Sequence, residues 1–213
     1  MEIEKTEVYG FESAFRGMRN AKNSWDRSDS CWDYGGFANE KDFILGENDL
    51  KLAQTLILVG NEHCKYLRQI QVWSDMDMPR YWWSEMDTYS YNTKNSCSTM
   101  HRLLNKQKSI TLDMFTYCEE DLDIVNIVIK RLNEIREIHN TANDQKIKDH
   151  CLLRAKRLLL EGLLQLRTVN TNYSELRNMY FQRRHHRLKE EWIDTFCKWV
   201  EELPYAEELI MIE

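Results

Sequence analysis

Two long stretches of helical periodicity dominate the second half of the chain. Apolar residues recur at the spacing of one helix face from Glu119 to His139, and a second such stretch runs from Asp144 to Leu160. There are only two prolines and seven glycines in 213 residues, whereas Leu, Glu, Lys and Arg are plentiful. Helix formers therefore outweigh the turn residues that a many-stranded sandwich needs. We expect a helix-rich α/β fold with a small mixed sheet, built as one domain over residues 1–213.

Shorter patterns predict the elements of the first half. A strand precedes a helix over Glu12 to Asn20, and the loop that ends in "CWDYGG", through Phe37, is irregular. Apolar spacing from Asn48, with Gly60 as a stop, predicts a helix closed by glycine. The stretch "KYLRQIQVW", residues 65–73, alternates in polarity and predicts a half-buried strand.

The second half adds a short helix over "NSCSTMHRLLNK" and a brief strand or extended link at "RTVNT". Asn172 then stands where asparagine is a strong helix cap, in front of "YSELRNMYFQRR". A last amphipathic helix, "KEEWIDTFCKWVEEL", runs up to Pro204.

Charge and cysteine usage exclude several classes of protein. The formal net charge is -6, which argues against binding of duplex nucleic acid through a basic surface, although Arg183 to Arg187 form a local basic cluster. The cysteines are scattered without a CxxC pair, as expected of reduced thiols. No apolar run is long enough for a membrane span. We expect a cytoplasmic protein without membrane contact.

The segment "PRYWWSEMDTYSY", residues 79–91, leaves two interpretations open. Trp82 and Trp83 either pack in the core or supply a flat surface on which a ligand stacks. Because they are adjacent, we expect that they cannot both face inward. Glu85 and Asp87 offer carboxylates to a hard cation, but they lack the fixed spacing of a known ion-binding loop, so solvated loop acids are the simpler interpretation. The histidines show no zinc-binding spacing, and we predict no metal site.

The carboxy-terminal half has a spacing that is typical of one enzyme family. Arg183 follows Asn172 by eleven residues, close to three helical turns, so the two side chains share a face. From Glu62 to Glu202, about two thirds of the chain, the order of elements resembles that of the flavin-dependent thymidylate synthases. The resemblance implies that Arg183 contacts the pyrimidine ring of dUMP and that Asn178 helps to hold the flavin. The alternative for Arg183 is a favourable helix-end charge, which contributes about 0.3–1 kcal/mol.

The first central motif of that family, RHRxxS, falls on "EMDTYS". Glu85 and Asp87 then stand where the family has arginines, and Ser90 keeps the serine. A charge-assisted contact to phosphate contributes about 1.5–3 kcal/mol, and a carboxylate in its place adds repulsion. We therefore expect weak or absent binding of FAD.

The second central motif, NExSxRY, falls on "NSCSTMH". Asn95 and Ser98 are kept, whereas Met100 stands where the family has a phosphate-binding arginine. The family's second arginine, two residues after its first asparagine, is Ser174 here. The resemblance therefore implies a family scaffold on which several cationic contacts are replaced.

The resemblance implies a reaction and an assembly. The reaction would move a one-carbon unit from methylene-tetrahydrofolate to C5 of dUMP or a related nucleotide, using reduced FAD and NADPH. Arg183 would polarise the pyrimidine as the catalytic residue, Ser98 would help to hold the phosphate, and Asn172 would position the nucleotide. The family assembles as a homo-oligomer, a tetramer, with its sites between subunits. Further side chains expected near a cofactor or ligand are Asn178, Trp82, Trp83, Glu85, Asp87, Ser90 and Asn95.

Two alternatives come from other functional classes. One is a non-catalytic module that sequesters or senses a nucleotide in the same cleft, which the acids at positions 85 and 87 favour. The other is a purely structural oligomeric protein whose aromatic segment forms subunit contacts, as Trp and Tyr often do.

Overall fold

The strands are short and lie mainly in the first half of the chain. A computed structural model describes residues 1–34 and 41–213. The strands are β1 (Glu2–Tyr9), β2 (Cys31–Tyr34), β3 (Lys41–Ile44), β4 (Gln71–Pro79), β5 (Thr93–Ser96) and β6 (Leu164–Asn172).

Helices make up most of the remainder. They are α1 (Phe11–Arg19), α2 (Glu47–Val59), α3 (Arg80–Met86), α4 (Thr99–Arg102), α5 (Leu122–Thr141), α6 (Gln145–Leu158), α7 (Tyr173–Arg183), α8 (Lys198–Glu201) and α9 (Ala206–Leu209). A π-helix, Lys189–Cys197, leads directly into α8, and 3₁₀ turns connect several of the other elements.

Two sheets are present in the described part of the chain. Four strands pair in the order β1-β4-β6-β5, and β2 pairs with β3. The β2–β3 pair is antiparallel, with Cys31 opposite Ile44 and Tyr34 opposite Lys41. The predicted fold class, a helix-rich α/β protein with a small sheet, is confirmed.

Most of the helix predictions are confirmed. The two long periodic stretches form α5 and α6, and Gly60 closes α2 with a φ of 140°, a backbone conformation that side chains with a Cβ rarely adopt. Asn172 caps α7, because its side-chain oxygen accepts a hydrogen bond from the Glu175 backbone N–H at 3.0 Å.

Two predictions in the first half of the chain are wrong. Residues 65–69 form a 3₁₀ turn rather than a strand, and Tyr66 and Leu67 are both buried, so the apparent alternation does not describe two faces. The strand begins only at Gln71. Cys31–Tyr34, expected to be irregular, is a strand paired with β3, and the rest of that expected loop, through Phe37, lies outside the described residues.

The described chain divides into two compact units. The first unit contains residues 1–2, 76–88 and 95–168, and the second contains residues 3–75, 89–94 and 169–213. In the first unit α5 packs on α6 around a core that includes Leu132, Ile135 and Cys151. The second unit has an aromatic core in which Phe11 meets Tyr173 edge-on at 5.6 Å. The prediction of one domain over residues 1–213 stays a prediction.

Candidate functional site

Trp82 and Trp83 are both buried in the first unit. Their exposed fractions are 0% and 1%, and their rings meet edge-on with centroids 4.8 Å apart. The expectation that adjacent tryptophans cannot both face inward is wrong, because α3 is covered on more than one side. Its first turn donates hydrogen bonds to the carbonyls of Glu161 and Leu163, and Trp83 Nε1 donates to the Gln165 carbonyl at 2.8 Å. The geometry therefore favours the core interpretation over ligand stacking.

One face of the Trp83 ring carries an arginine from β6. The guanidinium carbon of Arg167 lies 4.3 Å from the ring centroid, within cation–π distance. Arg167 Nη1 donates to both carboxylate oxygens of Asp87 at 3.2 Å, and Nη2 donates to Gln165 Oε1 at 3.1 Å. Asp87 therefore has a cationic partner.

A cavity of about 480 Å³ lies in the first unit, within the size range of small-molecule sites. One part of its wall is apolar and the other part carries both charged and amide side chains. Its lining residues are Asp77, Cys97, Thr99, Arg102, Leu103, Asn105, Gln107, Lys108, Ser109, Ile110, Asp113, Met114 and Leu163 to Leu166.

The charges in this wall are mixed. Burial raises the pKa of Asp77, and the Arg102 guanidinium opposes that shift. The Thr111 hydroxyl, which hydrogen-bonds the Asp113 carboxylate, lowers the pKa of Asp113, and Lys108 acts in the same direction. Arg102 and Lys108 therefore supply cations to the cavity, and Asp77 is the acid that would most readily take up a proton.

The segment "NSCSTMH", residues 95–101, contributes Cys97 and Thr99 to the wall of this cavity. Ser98 caps the short α4 by accepting a hydrogen bond from the Met100 backbone N–H at 3.3 Å. Thr99 receives a hydrogen bond of 2.5 Å from Lys156 Nζ, and Arg102 Nη1 donates to Cys97 Sγ. Thr99, the neighbour of Ser98 in the chain, therefore has a cationic partner, while Asn95 and Met100 are exposed.

The second unit holds the remaining predicted site residues. Arg183 Nε donates to Tyr89 Oη at 2.7 Å, and its guanidinium lies 4.4 Å from the Trp192 ring centroid. Tyr89 Oη donates to Gln182 Oε1 at 3.1 Å, and Gln182 Nε2 donates to Asn178 Oδ1 at 2.8 Å. Arg183 and Asn178 therefore belong to one hydrogen-bonded chain. Arg183 is also the last residue of α7, so its contacts with Tyr89 and Trp192 add to a helix-end position, and the choice between a helix-end charge and a nucleotide contact stays open.

Three other predicted residues have ordinary surroundings. Asn172 is nearly buried, and its oxygen serves the cap of α7. Ser90 is exposed, and Glu85 is half-buried near the end of α3. Among the residues that the structure describes, no cluster of His, Cys, Asp and Glu could hold a metal ion.

Sequence reasoning missed Arg167, Arg102, Lys156 and Tyr89. Some of these residues contact partners that are distant in the sequence. The others lie in segments whose pattern predicts a helix or strand but no site. The alternation of Gln165 and Arg167 on β6 was the one available signal, since residues two apart on a strand share a face.

Within the described ranges, every helix is too short or too polar to cross a lipid bilayer.

The comparisons with known proteins identify the fold. No family model matches the chain, and no curated protein matches it significantly. A crystal structure of flavin-dependent thymidylate synthase ThyX from Helicobacter pylori, complexed with FAD and dUMP, matches with a TM-score of 0.69 and 17% identity over 100% of this chain and 98% of that one. A second Helicobacter pylori ThyX structure with FAD and dUMP matches with a TM-score of 0.69 and 16% identity over 99% and 97%. The chain therefore has the fold of the flavin-dependent thymidylate synthases over its whole length.

Proposed function

We propose that the protein binds a pyrimidine nucleotide such as dUMP. The observation that carries the proposal is the cavity of about 480 Å³, with Arg102 and Lys108 in its wall, in a chain whose full length follows the fold of enzymes crystallised with dUMP. An apolar wall suits a base, and guanidinium and ammonium groups suit a phosphate. Ser98 and Lys156 are our candidates for further phosphate contacts, since Lys156 donates to Thr99, the residue that follows Ser98.

The residues that the resemblance assigns to the flavin bear on whether the protein also binds FAD. Both matched enzymes hold FAD. In this chain, our sequence interpretation puts Glu85 and Asp87 where the resembled family motif has arginines. Neither carboxylate can donate a hydrogen bond to a phosphate when ionised, and Asn178, which the resemblance assigns to the flavin, accepts a hydrogen bond from Gln182. These residues do not fit a flavin diphosphate held in the family's way. We therefore propose nucleotide binding without a flavin-dependent step.

Independently of the cavity, the resemblance leads us to propose Arg183, a residue of the second unit that does not line the cavity, as a contact for a pyrimidine. A guanidinium is planar and always charged, and it can donate two parallel hydrogen bonds to ring carbonyls, which Lys cannot imitate. The contacts with Tyr89 and Trp192 hold this group in one orientation, as a recognition residue requires. Asn172 then acts indirectly, by starting the helix that presents Arg183.

A second candidate function is a non-catalytic module that sequesters or senses the nucleotide. The exposed Met100, where the family has a phosphate-binding arginine, favours it, as do the acids at positions 85 and 87. If the protein catalyses one-carbon transfer to C5 of dUMP, thymidylate must form when methylene-tetrahydrofolate, FAD and NADPH are supplied. The binding module predicts saturable dUMP binding and no thymidylate under the same conditions.

We also propose that the protein is a homo-oligomer, with the tetramer of the resembled family as the expected state. Ile124, Ile127 and Ile138 lie on one face of α5 and are 53%, 62% and 47% exposed. Apolar side chains that share an exposed face mark an interaction surface. A purely structural oligomer would use this face and bind no nucleotide.

The test of nucleotide binding is a calorimetric titration of dUMP into the native protein, Arg102→Ala and Arg157→Ala. Arg157 is an exposed residue of α6 outside the cavity wall, so its variant changes the net charge by the same amount. Losing a charge-assisted phosphate contact weakens binding about ten- to a hundredfold. We expect that loss for Arg102→Ala and little change for Arg157→Ala. Equal affinity in all three proteins would exclude the cavity, and the absence of heat from any nucleotide would favour the structural alternative.

A further inference from the structure

We infer that Arg167 is an anion-binding residue and that the Asp87 carboxylate occupies its binding position until a phosphate-bearing ligand replaces it. This inference rests on the proposed function, because it names one residue that would hold the nucleotide's phosphate. It assigns a cationic contact to β6 at the place where the resembled motif would supply one from positions 85 and 87.

The arginine is held in place before any ligand arrives. Its side chain is 17% exposed, it stacks on Trp83 at 4.3 Å, and Nη2 donates to Gln165 Oε1. Gln165 is itself fixed, since its Nε2 donates to the Cys97 carbonyl at 3.0 Å. Arg167 Nε is buried and has no hydrogen-bond acceptor among the residues of ranges 1–34 and 41–213. Packing and hydrogen bonds of this kind fix the orientation of a recognition group.

The acid is held less firmly than the arginine. Asp87 is 49% exposed and follows the last residue of α3. Arg167 Nη1 reaches each of its oxygens at 3.2 Å, longer than the roughly 2.7–2.9 Å that is usual for a charge-assisted hydrogen bond. An ion pair with one partly exposed member contributes little to folding stability. Asp87 is therefore the more solvent-exposed member of this pair.

The chemistry of the pair points to phosphate. A guanidinium recognises carboxylate and phosphate through the same planar arrangement of donors, so the Asp87 carboxylate stands in for an anionic ligand. A phosphate monoester carries up to two negative charges and presents three oxygens, against one charge and two oxygens for Asp87. Gln165 contacts Arg167 and also lines the cavity of about 480 Å³. A ligand in that cavity would therefore lie against a residue that contacts Arg167.

A purely structural ion pair makes the opposite prediction for one variant. If Asp87 serves only the fold, Asp87→Asn lowers stability and leaves affinity for anions unchanged. If Asp87 competes with the ligand, Asp87→Asn removes the competitor and tightens binding. The direction of the change therefore distinguishes the two roles.

The experiment titrates dUMP and, separately, inorganic pyrophosphate into the native protein, Asp87→Asn, Arg167→Gln and Glu161→Gln, with thermal melts of all four. Glu161 is the matched control, because it is a 60% exposed acid of the same unit that pairs with Arg80. We expect Asp87→Asn to bind about three- to tenfold more tightly and Arg167→Gln about ten- to a hundredfold more weakly, with Glu161→Gln unchanged. Arg167→Lys, which keeps the charge, covers the case in which Arg167→Gln fails to fold, and we expect it to bind more weakly than the native protein.

The possible results distinguish the anion-binding role of Arg167 from nucleotide binding by the native protein. Equal dUMP affinity in native protein, Asp87→Asn and folded Arg167 variants overturns the inference and leaves the proposed function standing. Equal tightening in Asp87→Asn and Glu161→Gln also overturns it, since only the net charge then matters. If the native protein binds nothing but Asp87→Asn binds, the role of Arg167 stands and native nucleotide binding falls. If no variant binds dUMP or pyrophosphate, both claims fail.

Discussion

Replacing Arg183 by Ala should destabilise the protein more than the loss of a helix-end charge would. The native side chain donates to Tyr89 Oη at 2.7 Å and lies 4.4 Å from the Trp192 ring centroid. A hydrogen bond from a charged group contributes about 1.5–3 kcal/mol, and partial exposure places this one at the lower end. A cation–π contact adds about 0.5–1 kcal/mol. We therefore expect the free energy of unfolding to fall by about 2–3 kcal/mol, against about 0.3–1 kcal/mol for a helix-end charge.

The assay is urea unfolding followed by tryptophan fluorescence and by circular dichroism. For a chain of this size, a loss of about 2–3 kcal/mol corresponds to a fall in melting temperature of about 4–12 °C. Tyr89→Phe removes the hydroxyl that accepts from Arg183 and keeps the ring. A double-mutant cycle with Arg183→Ala therefore isolates the interaction free energy between the two side chains, which we expect to exceed about 1 kcal/mol. Arg187→Ala is the control, since Arg187 is an exposed arginine of the same basic cluster.

Two results would refute this reasoning. The first is a stability of Arg183→Ala within about 0.5 kcal/mol of the Arg187→Ala control, which would mean that the contacts with Tyr89 and Trp192 contribute nothing. The second is strict additivity of Tyr89→Phe and Arg183→Ala. A measured loss of dUMP affinity in Arg183→Ala must also exceed any loss in Tyr89→Phe if Arg183 contacts the base directly.

Four further predictions concern other parts of the molecule. Asp49→Asn should cost about 3–5 kcal/mol of folding stability, because Asp49 is fully buried and pairs with the buried Arg19 at 2.5 Å. Burial acts to raise the pKa of Asp49, but two serine hydroxyls and Arg19 together lower it. The stability linked to this shift is complete above the unfolded pKa of about 4 and is lost as pH falls through the lowered pKa, which urea melts from pH 7 downward can follow. Trp83→Phe should cost about 1–3 kcal/mol in the same melts, since it removes the hydrogen bond to the Gln165 carbonyl. Light scattering at micromolar concentration should report an oligomer that Ile127→Glu weakens, and a monomeric native protein would contradict this. The visible spectrum of freshly purified protein should lack flavin absorption, and stoichiometric flavin would show that FAD is held in another way.

The fold class could be predicted because it rests on local signals. The periodicity of α5 and α6, the glycine after α2 and the asparagine before α7 each act within one or two helical turns, and all of them hold in the structure. The strand expected at residues 65–73 is present only from Gln71, because Tyr66 and Leu67 are both buried in a 3₁₀ turn, and alternation carries no information where both sides are covered.

The candidate site was less predictable, because its contacts join distant parts of the chain. Arg167 and Asp87 are 80 residues apart, and Arg183 and Tyr89 are 94 residues apart. No spacing rule connects such pairs, so the acid at position 87 carried no sign of the cation that neutralises it. The burial of both Trp82 and Trp83 was missed for a related reason, since the segment that covers the first turn of α3 comes from residues 161–163.

The central claim is that the native protein binds a pyrimidine nucleotide, and the most direct test is a calorimetric titration of dUMP into folded protein at low and at high salt. The account predicts saturable heat with one dUMP per chain, and affinity that falls as salt rises, because the phosphate is held by cations such as Arg102 and Lys108. A folded protein that gives no saturable heat with dUMP or any other pyrimidine nucleotide at low salt would contradict it.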